Sequence, residues 1–289
     1  MNASRTVVVA GATGYIGRHV ARVLHARGYR VRALARDPRR LEPIRDACDE
    51  VFIGEATQAR TLDGLCADAE VVVSSLGLRT LRSRPTPDAV DLDANLNVLE
   101  TAQRASVRHF VFVGVLNGEE LMELVPILRP RETFVRRLRN SGLRWTVLRP
   151  TGAFNDMQEI FGLAKHGWGL VLGDGHHRIN PIHPADIAAV AADAITDMTL
   201  YDTEFGFGGP DIYTHEELSG LAAQVLGRTI RIAHLPYWPI DSVIAATRLF
   251  NRNASGFLRF FRQTLSRDMV GTPLGEHTLR DYYRELAHP

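Results

Sequence analysis

The chain has 289 residues, of which 45% are hydrophobic and 23% charged, as is usual for a soluble globular protein. Its 34 basic and 33 acidic residues leave a net charge of +1, so the overall charge indicates no nucleic-acid partner. No apolar stretch approaches the roughly 20 residues of a membrane span. Cys48 and Cys66 form neither a metal-binding spacing nor a disulfide framework. Because a strand is predicted close to the N-terminus, there is no room for a signal peptide, and we expect a cytoplasmic protein.

The first predicted element is an apolar run that ends in three glycines, residues 7–17, VVVAGATGYIG. Its first four residues, all apolar, predict a central parallel strand that is buried on both faces. The glycines and the helical spacing of residues 18–24 follow the strand–turn–helix order that directs backbone N–H groups at a pyrophosphate. The alternative is a purely structural turn. We predict a dinucleotide site here, formed by Gly11, Thr13, Gly14, Tyr15, Ile16 and Gly17.

The second predicted strand, Tyr29 to Leu34, is followed by Arg36 and Asp37. A site for NAD would have an acidic residue at this point to bind the adenosine ribose hydroxyls. The guanidinium of Arg36 is instead suited to the 2′-phosphate of NADP. We therefore favour NADP, while Asp37 leaves NAD open. The alternative for Arg36 is a solvated basic turn, since the chain is rich in arginine.

Strands and helices continue to alternate along the chain. Strands are predicted at 50–55, 71–77, 109–115 and 145–150, and helices at 62–69, 91–105 and 131–140. This order predicts an α/β fold with a doubly wound parallel sheet. Ligands bind at the carboxyl edge of such a sheet, which adds these residues to the predicted cofactor site: Glu55, Ser75, Leu76, Gly77, Val113 and Pro150. The helices 91–105 and 131–140 could also pair in a homodimer.

The second half of the chain has a looser pattern. Helices are predicted from Pro184 to Ile195, after the capping box at 214–217, and over most of 240–267 with a break near 253–256. The cluster Phe257, Phe260 and Phe261 is interpreted as a lobe core or substrate wall in preference to a membrane anchor. We predict an NAD(P)-binding Rossmann domain over residues 1–155. Residues 156–289 are predicted to form a small, mainly helical substrate lobe, interleaved with the main sheet.

Three motifs together resemble a known family: GATGYIG at 11–17, SGLRWTVLRP at 141–150 and IHPADIA at 182–188. The combination resembles the atypical short-chain dehydrogenases/reductases, in the branch of NmrA-like and isoflavone-reductase-like proteins. The resemblance covers most of residues 6–235. It implies a Rossmann fold, an NAD(P) cofactor and a substrate pocket between the sheet edge and a small C-terminal lobe.

The chain departs from this family at the proton-handling positions. Typical members have a tyrosine four residues before a lysine, and the tyrosine exchanges a proton with the substrate oxygen. In this chain Ile127 and Arg131 align with the two positions, and the usual strand-five serine is missing from a segment that ends at Asn117. Arg131 and Asn117 remain the catalytic candidates. Arg131 suits the cofactor ribose or amide, although its guanidinium is a poor proton donor; the alternative is an exposed helix arginine.

The predicted substrate pocket contains Phe154, Lys165, Trp168 and His183. The aromatic side chains suit a hydrophobic or aromatic small molecule, and Lys165, the only lysine, lies in the region that usually forms the pocket. His183 is interpreted as a structural histidine or a catalytic one. The pair at 176–177 has no acidic partner at ligand spacing, so no metal site is predicted.

Two main functional hypotheses follow. The first is an NADP-dependent oxidoreductase that transfers hydride to or from an alkene, a quinone or a benzylic centre without a catalytic tyrosine. The second is a non-catalytic NAD(P)-binding redox sensor or assembly factor that acts through a protein partner. A nucleotide-sugar epimerase is the weakest reading, because that chemistry relies on the missing tyrosine.

Overall fold

The computed structural model describes residues 5–79 and 81–288. Its strands are β1 Thr6–Ala10, β2 Arg30–Ala35, β3 Glu50–Ile53, β4 Ala69–Ser74, β5 His109–Val113, β6 Arg144–Pro150, β7 Trp168–Leu172, β8 Arg178–Ile179, β9 Thr203–Gly208, β10 Tyr213–Thr214, β11 Arg231–Leu235 and β12 Thr272–Pro273. Its α-helices are α1 Tyr15–Ala26, α2 Ala94–Arg104, α3 Gly118–Leu124, α4 Arg129–Arg139, α5 Gln158–Lys165, α6 Pro184–Thr196, α7 His215–Val225, α8 Tyr237–Phe250, α9 Arg252–Thr264 and α10 Leu279–Ala287.

The central sheet has eight strands in the order β12-β9-β6-β5-β4-β1-β2-β3. Every neighbouring pair in it is parallel. The chain winds outward from β1 to β3 and then returns to place β4 on the other side of β1. This reversal makes the β1–β4 boundary the topological switch point, where doubly wound sheets bind ligands. The predicted α/β fold is confirmed.

The strand β1 is buried on both faces, as its apolar run predicted. Val7 and Val9 pack with the side chains of α1 and α6, which cover one face of the sheet. Val8 and Ala10 pack into a second core with α2 and α4 on the opposite face. The period of two along a strand sends alternate side chains to opposite cores. The carboxyl end of β1 is therefore held rigidly at the centre of the molecule.

Two predicted helical features are wrong in detail. The predicted helix 62–69 is a series of turns that leads directly into β4. Gly64 and Asp68 have left-handed backbone conformations, with φ of 80° and 55°, which a right-handed helix does not contain. The predicted break at 253–256 lies earlier, at Asn251, whose backbone is extended. Its side chain accepts a hydrogen bond from the Ala254 N–H at 3.1 Å and so caps α9.

The second half of the chain builds a third core and also completes the central sheet. Phe161, Leu218 and Tyr283 belong to this third core, and Phe260 packs against it. The strands β9 and β12 extend the main sheet beyond β6, while β7 pairs with β11 and β8 with β10 in two small sheets. The division between residues 155 and 156 stays a prediction. Across the residues described here, none of the helices is both long and apolar enough to cross a membrane.

Candidate active site

The glycine turn after β1 has the geometry of an anion cradle. Gly11 has a φ of 89°, and the Gly14 N–H donates a hydrogen bond to the Gly11 carbonyl at 2.8 Å. A Cβ at Gly17 would overlap that same carbonyl, so α1 can approach the turn only with glycine there. Gly14 caps α1 without a side chain. The first N–H groups of α1 therefore lie at an uncovered helix start, suited to a phosphate.

The other predicted cofactor residues lie at the carboxyl ends of neighbouring strands. The Ser75 N–H donates to the Ala10 carbonyl at 2.9 Å, which holds the segment after β4 against the glycine turn. Val113 and Pro150 are the last residues of β5 and β6, two strands that pair with each other. The fold thus brings the predicted residues of three adjacent strands to one edge of the sheet.

Arg36 and Glu55, both predicted cofactor residues, contact each other. Arg36 Nη1 donates to Glu55 Oε2 at 3.3 Å, and the arginine side chain is 62% exposed. The neighbouring Asp37 accepts hydrogen bonds from the backbone and side chain of Arg39. These bonds, above all that from the Arg39 side chain, lower the pKa of Asp37. Asp37 is therefore engaged in its own turn, and Arg36 is left at the end of β2.

Arg131 is not the exposed helix arginine that the sequence left open. Its side chain is largely buried and donates from Nε to Asp91 Oδ1 at 2.8 Å, with a second, shorter contact from Nη2. Asp91 also accepts a hydrogen bond from the Leu78 N–H at 3.2 Å. The guanidinium lies so close to Gly77 that a Cβ there would overlap it. The ion pair fixes Arg131 against the cofactor edge of β4.

The position aligned with the family tyrosine is occupied by an apolar contact. Ile127 lies in a short turn before α4 and packs so closely on Gly256 of α9 that a Cβ at that glycine would overlap it. Asn117 has a left-handed backbone, with a φ of 54°, and begins α3. Within the described residues its side-chain amide has no hydrogen-bond partner. The amide is therefore available to a ligand.

A buried ionic cluster holds the segment after β5 in place. Arg149 of β6 donates two hydrogen bonds to Glu132 of α4, at 3.0 and 2.8 Å, and one to the Val115 carbonyl at 3.0 Å. Its Nε donates to Glu204 of β9 at 2.9 Å. The attraction to these two carboxylates outweighs burial and raises the pKa of Arg149. The cluster positions the chain between Val113 and Asn117.

A cluster of rings closes one side of the cofactor edge, and two of its members, His277 and Tyr282, were not predicted. His183 stacks on His277 with centroids 4.2 Å apart, and Phe154 lies 5.4 Å from His183 and 5.3 Å from Tyr282. The Tyr282 hydroxyl lies close to the Tyr15 hydroxyl, next to the glycine turn. No spacing in the sequence connects residues so far apart as Tyr15 and Tyr282, and only the packing of α10 brings them together.

Two members of the ring cluster, His183 and Tyr15, are uncharged near neutral pH. Burial, followed by the nearby His277 and His19, lowers the pKa of His183 to about 4. Its Nδ1 accepts a hydrogen bond from the Ala185 N–H at 3.3 Å and so caps α6. Burial and the Tyr282 hydroxyl raise the pKa of Tyr15 above its usual range. These side chains can exclude water and offer hydroxyl groups, while His183 has an evident structural role.

Lys165 and Trp168 lie on elements of the lobe, apart from Phe154 and His183. The Lys165 ammonium donates to the Leu286 carbonyl at 3.2 Å and lies 5.1 Å from the Phe161 ring centroid. Trp168 begins β7, pairs with Arg231 and is 51% exposed. The structure does not bring these two predicted pocket residues to the cofactor edge, so their part in a pocket stays a prediction.

A cleft of about 770 Å³ lies between the segments 83–88 and 126–130 on one side and the α8–α9 pair on the other. Thr86, Ile127 and Pro130 line one wall, and Leu249 and Phe250 are on the other. The Asn253 side chain donates to the Arg82 and Pro85 carbonyls, at 2.9 Å each, which ties the two walls together. The cleft therefore reaches the position of the missing tyrosine. The break at Asn251, which the sequence misplaced, forms part of its rim.

Comparison with known proteins identifies the cofactor class. A family model described as NAD(P)H-binding matches residues 11–198. The chain is 30% identical to (4-alkanoyl-5-oxo-2,5-dihydrofuran-3-yl)methyl phosphate reductase from Streptomyces griseus subsp. griseus, over 92% of this chain and 88% of that protein. It is 29% identical to divinyl chlorophyllide a 8-vinyl-reductase from Zea mays, over 83% of this chain but only 64% of the maize protein.

A further relative has a different kind of role. The chain is 23% identical to photosystem II assembly factor Ycf39 from Trieres chinensis, over 82% of this chain and 74% of that protein. Among solved structures, an NADPH-dependent quinone oxidoreductase from Escherichia coli, complexed with NADPH, has the same fold. The TM-score is 0.76 at 17% identity, and the match covers 97% of this chain and 99% of that one.

Proposed function

The chain belongs to the NAD(P)H-binding family, and from this premise we propose that it is an NADPH-dependent oxidoreductase acting on a hydrophobic or aromatic small molecule. The observation that carries the proposal is the glycine cradle at the switch point, combined with an apolar contact at the family's proton-donor position. Such a site suits acceptors that need little help from a protein acid: a quinone, a conjugated alkene or a benzylic centre. The reductases among the relatives support this class.

The preference for NADPH rests on the end of β2. Arg36 lies at the position where an NAD site would have a carboxylate, and Asp37 is bound to Arg39. A guanidinium can form charge-assisted hydrogen bonds with the 2′-phosphate. When NADPH binds, Arg36 would exchange its contact with Glu55 for a contact with the 2′-phosphate.

The roles of the chain's own residues follow from their placement. When bound, NADPH would supply the hydride for the electrophilic carbon of the substrate and would leave as NADP⁺, with the balancing proton taken from water. The turn that contains Gly11, Gly14 and Gly17 leaves room for the pyrophosphate. Arg131, which Asp91 holds in place, would position the cofactor at this edge of the sheet. The free amide of Asn117 can hydrogen-bond a substrate oxygen. Phe154 and the neighbouring rings keep bulk water out.

The first test is the binding of NADPH and NADH to the purified protein, measured by nicotinamide fluorescence. Binding of NADPH in preference to NADH is expected, and failure to bind either dinucleotide would overturn the proposal. The second test follows the loss of nicotinamide absorbance with a panel of quinones and enones. Turnover of at least one acceptor class, lost in the variant Asn117→Ala but retained in the exposed variant Arg137→Gln, is expected.

A cofactor-dependent assembly factor is the second candidate, supported by two observations. One is the similarity to an assembly factor, and the other is a set of exposed apolar side chains on α8, among them Trp238 and Phe250. Under this hypothesis NADPH binds but no acceptor is reduced. Persistent inactivity across the panel, with normal NADPH binding, would favour this function over the oxidoreductase.

A further inference from the structure

The helix α8 exposes a continuous apolar surface. Leu249 and Phe250 are 81% and 87% exposed, and Trp238 and Val243 are also exposed. The one fully buried side chain that the structure shows on this helix is Ile244. Elsewhere Met198 and Ile53 are exposed singly, and Trp168 and Leu170 form a smaller exposed pair on one face of β7. A contiguous apolar patch of this kind marks an interaction surface.

The apolar residues share one side of the helix. At about 100° per residue they fall within an arc of roughly 140°, which we call the α8 arc. It consists of Trp238, Pro239, Ser242, Val243, Ala246, Leu249 and Phe250. Its one polar member, Ser242, donates its hydroxyl to the Trp238 carbonyl at 2.9 Å. The α8 arc therefore presents no unsatisfied side-chain hydroxyl to whatever covers it.

The rim of the α8 arc is basic. Between Tyr237 and Thr264 there are four arginines, at 248, 252, 259 and 262, and one acidic residue, Asp241. Asp241 is paired with Arg262 at 3.0 Å. Arg248 and Arg252 are exposed and, within the described part of the chain, have no ion-pair partner. The surface thus combines an apolar face with free positive charge at one end, beside Leu249 and Phe250.

We propose that the α8 arc docks on a membrane surface that contains anionic lipids. The apolar side chains would enter the boundary between headgroups and acyl chains, and the arginines would contact the anionic headgroups. Both interactions contribute to the affinity for the membrane. Trp238 at the start of α8 has the amphipathic ring that favours the interface. A second copy of this chain is the alternative occupant, which would place the α8 arcs of two copies against each other and is distinguished by the oligomeric state in solution.

The docked orientation has a consequence for the proposed function. Leu249 and Phe250 belong to the α8 arc and also line the cleft that reaches Ile127. Docking would therefore set the mouth of the cleft at the lipid boundary, where an apolar substrate dissolved in the bilayer could enter. This last step rests on the proposed function. The docking itself does not, and it can be tested without cofactor or turnover.

The test is co-sedimentation of the full chain with phosphatidylcholine vesicles, with and without anionic phosphatidylglycerol. We expect binding to the anionic vesicles, and a shift of tryptophan fluorescence to shorter wavelength that the variant Trp238→Phe lacks. The double variant L249S/F250S should bind more than about tenfold more weakly, because two apolar side chains no longer leave water. The variant Arg248→Gln should bind about fivefold more weakly.

The matched control is Met198→Ser, at a position 75% exposed on a separate turn, which should bind vesicles like the unchanged chain. Circular dichroism and thermal melting are expected to show that all variants are folded. The proposal is overturned if the anionic vesicles do not bind the chain, or if L249S/F250S binds them equally well. Sedimentation of a vesicle-independent dimer that L249S/F250S dissociates would likewise overturn it, in favour of a second copy.

Discussion

Arg36 is the residue on which cofactor choice depends. Replacing it with glutamine should weaken NADPH about tenfold, because a charge-assisted bond to the 2′-phosphate is lost, and should change NADH little. The replacement Glu55→Gln should strengthen NADPH about two- to threefold, since it frees Arg36 from an exposed ion pair. Titrations of nicotinamide fluorescence with both dinucleotides measure these changes. Arg137→Gln on the solvent side of α4 is the control, and equal losses for NADPH and NADH would contradict the prediction.

His109 makes the folded chain sensitive to acid. Its Nε2 contacts the Thr146 hydroxyl at 2.9 Å, and that hydroxyl donates to the Leu200 carbonyl. Nε2 is therefore the donor, and Nδ1 is buried without a partner in the structure. Burial lowers the pKa of His109 to about 4. Since the unfolded residue binds a proton below about pH 6.5, stability is full above that pH and falls as the pH approaches 4.

The expected loss from His109 at pH 5 is on the order of 2 kcal/mol of unfolding free energy. The variant His109→Leu should show a correspondingly flatter decline between pH 6.5 and 4, measured by urea unfolding at several pH values. His183 and His215, whose pKa values burial also lowers to about 4, leave part of the decline in place. His166→Gln, at an exposed position, is the control; a slope unchanged in His109→Leu would refute this assignment.

The sequence predicted single residues well where a motif fixes the backbone. The glycine turn lies where it was expected because only glycine allows that approach of β1 and α1. The sequence could not predict that Arg131 contacts Asp91, because the two residues come from separate segments of the chain and their approach depends on packing. For the same reason His277 and Tyr282 were missed. Their places follow from the docking of α10, which leaves no periodic signal in the chain.

The junction of β1 and α1 depends on the absence of one methyl group. Gly17→Ala should displace α1 from the turn, because the added Cβ would overlap the Gly11 carbonyl, and should reduce NADPH affinity by more than about tenfold. The control is Gly220→Ala on α7, where nothing lies within contact distance of an added Cβ. That variant should bind NADPH normally and unfold at equal or higher temperature. NADPH binding by Gly17→Ala at full strength would contradict the proposed cradle.

The contact between β6 and α4 depends on Arg149. Arg149→Met should lower the unfolding free energy by about 3 kcal/mol or more, because Glu132 would remain buried without a partner. Chemical unfolding measures the loss, with Arg137→Met at an exposed position of α4 as the control. The double variant Arg149→Met with Glu132→Leu should recover part of the stability. Equal losses of unfolding free energy in Arg149→Met and Arg137→Met would show that the buried ion pair contributes no more to stability than an exposed arginine.

At the scale of the whole molecule, the alternation of strands and helices was enough to predict the sheet. Its switch point follows from the right-handed winding of parallel strands. The relation between the two halves could not be predicted, because it depends on which faces of α8, α9 and α10 find partners. The sequence indicated helices over 240–267 without showing that α8 leaves its apolar side in solvent. The proposed function therefore rests on the cradle formed by the fold, and the proposed docking rests on the surface of α8.

The contact between Tyr15 and Tyr282 joins residues that are 267 positions apart, from 15 to 282. During synthesis the glycine turn leaves the ribosome well before the Tyr282 ring, which lies far downstream in the chain. A nascent chain can form β1 and α1 long before the side of the site that α10 covers exists. The time order of translation thus separates the formation of the proposed phosphate cradle from the closing of its side by α10.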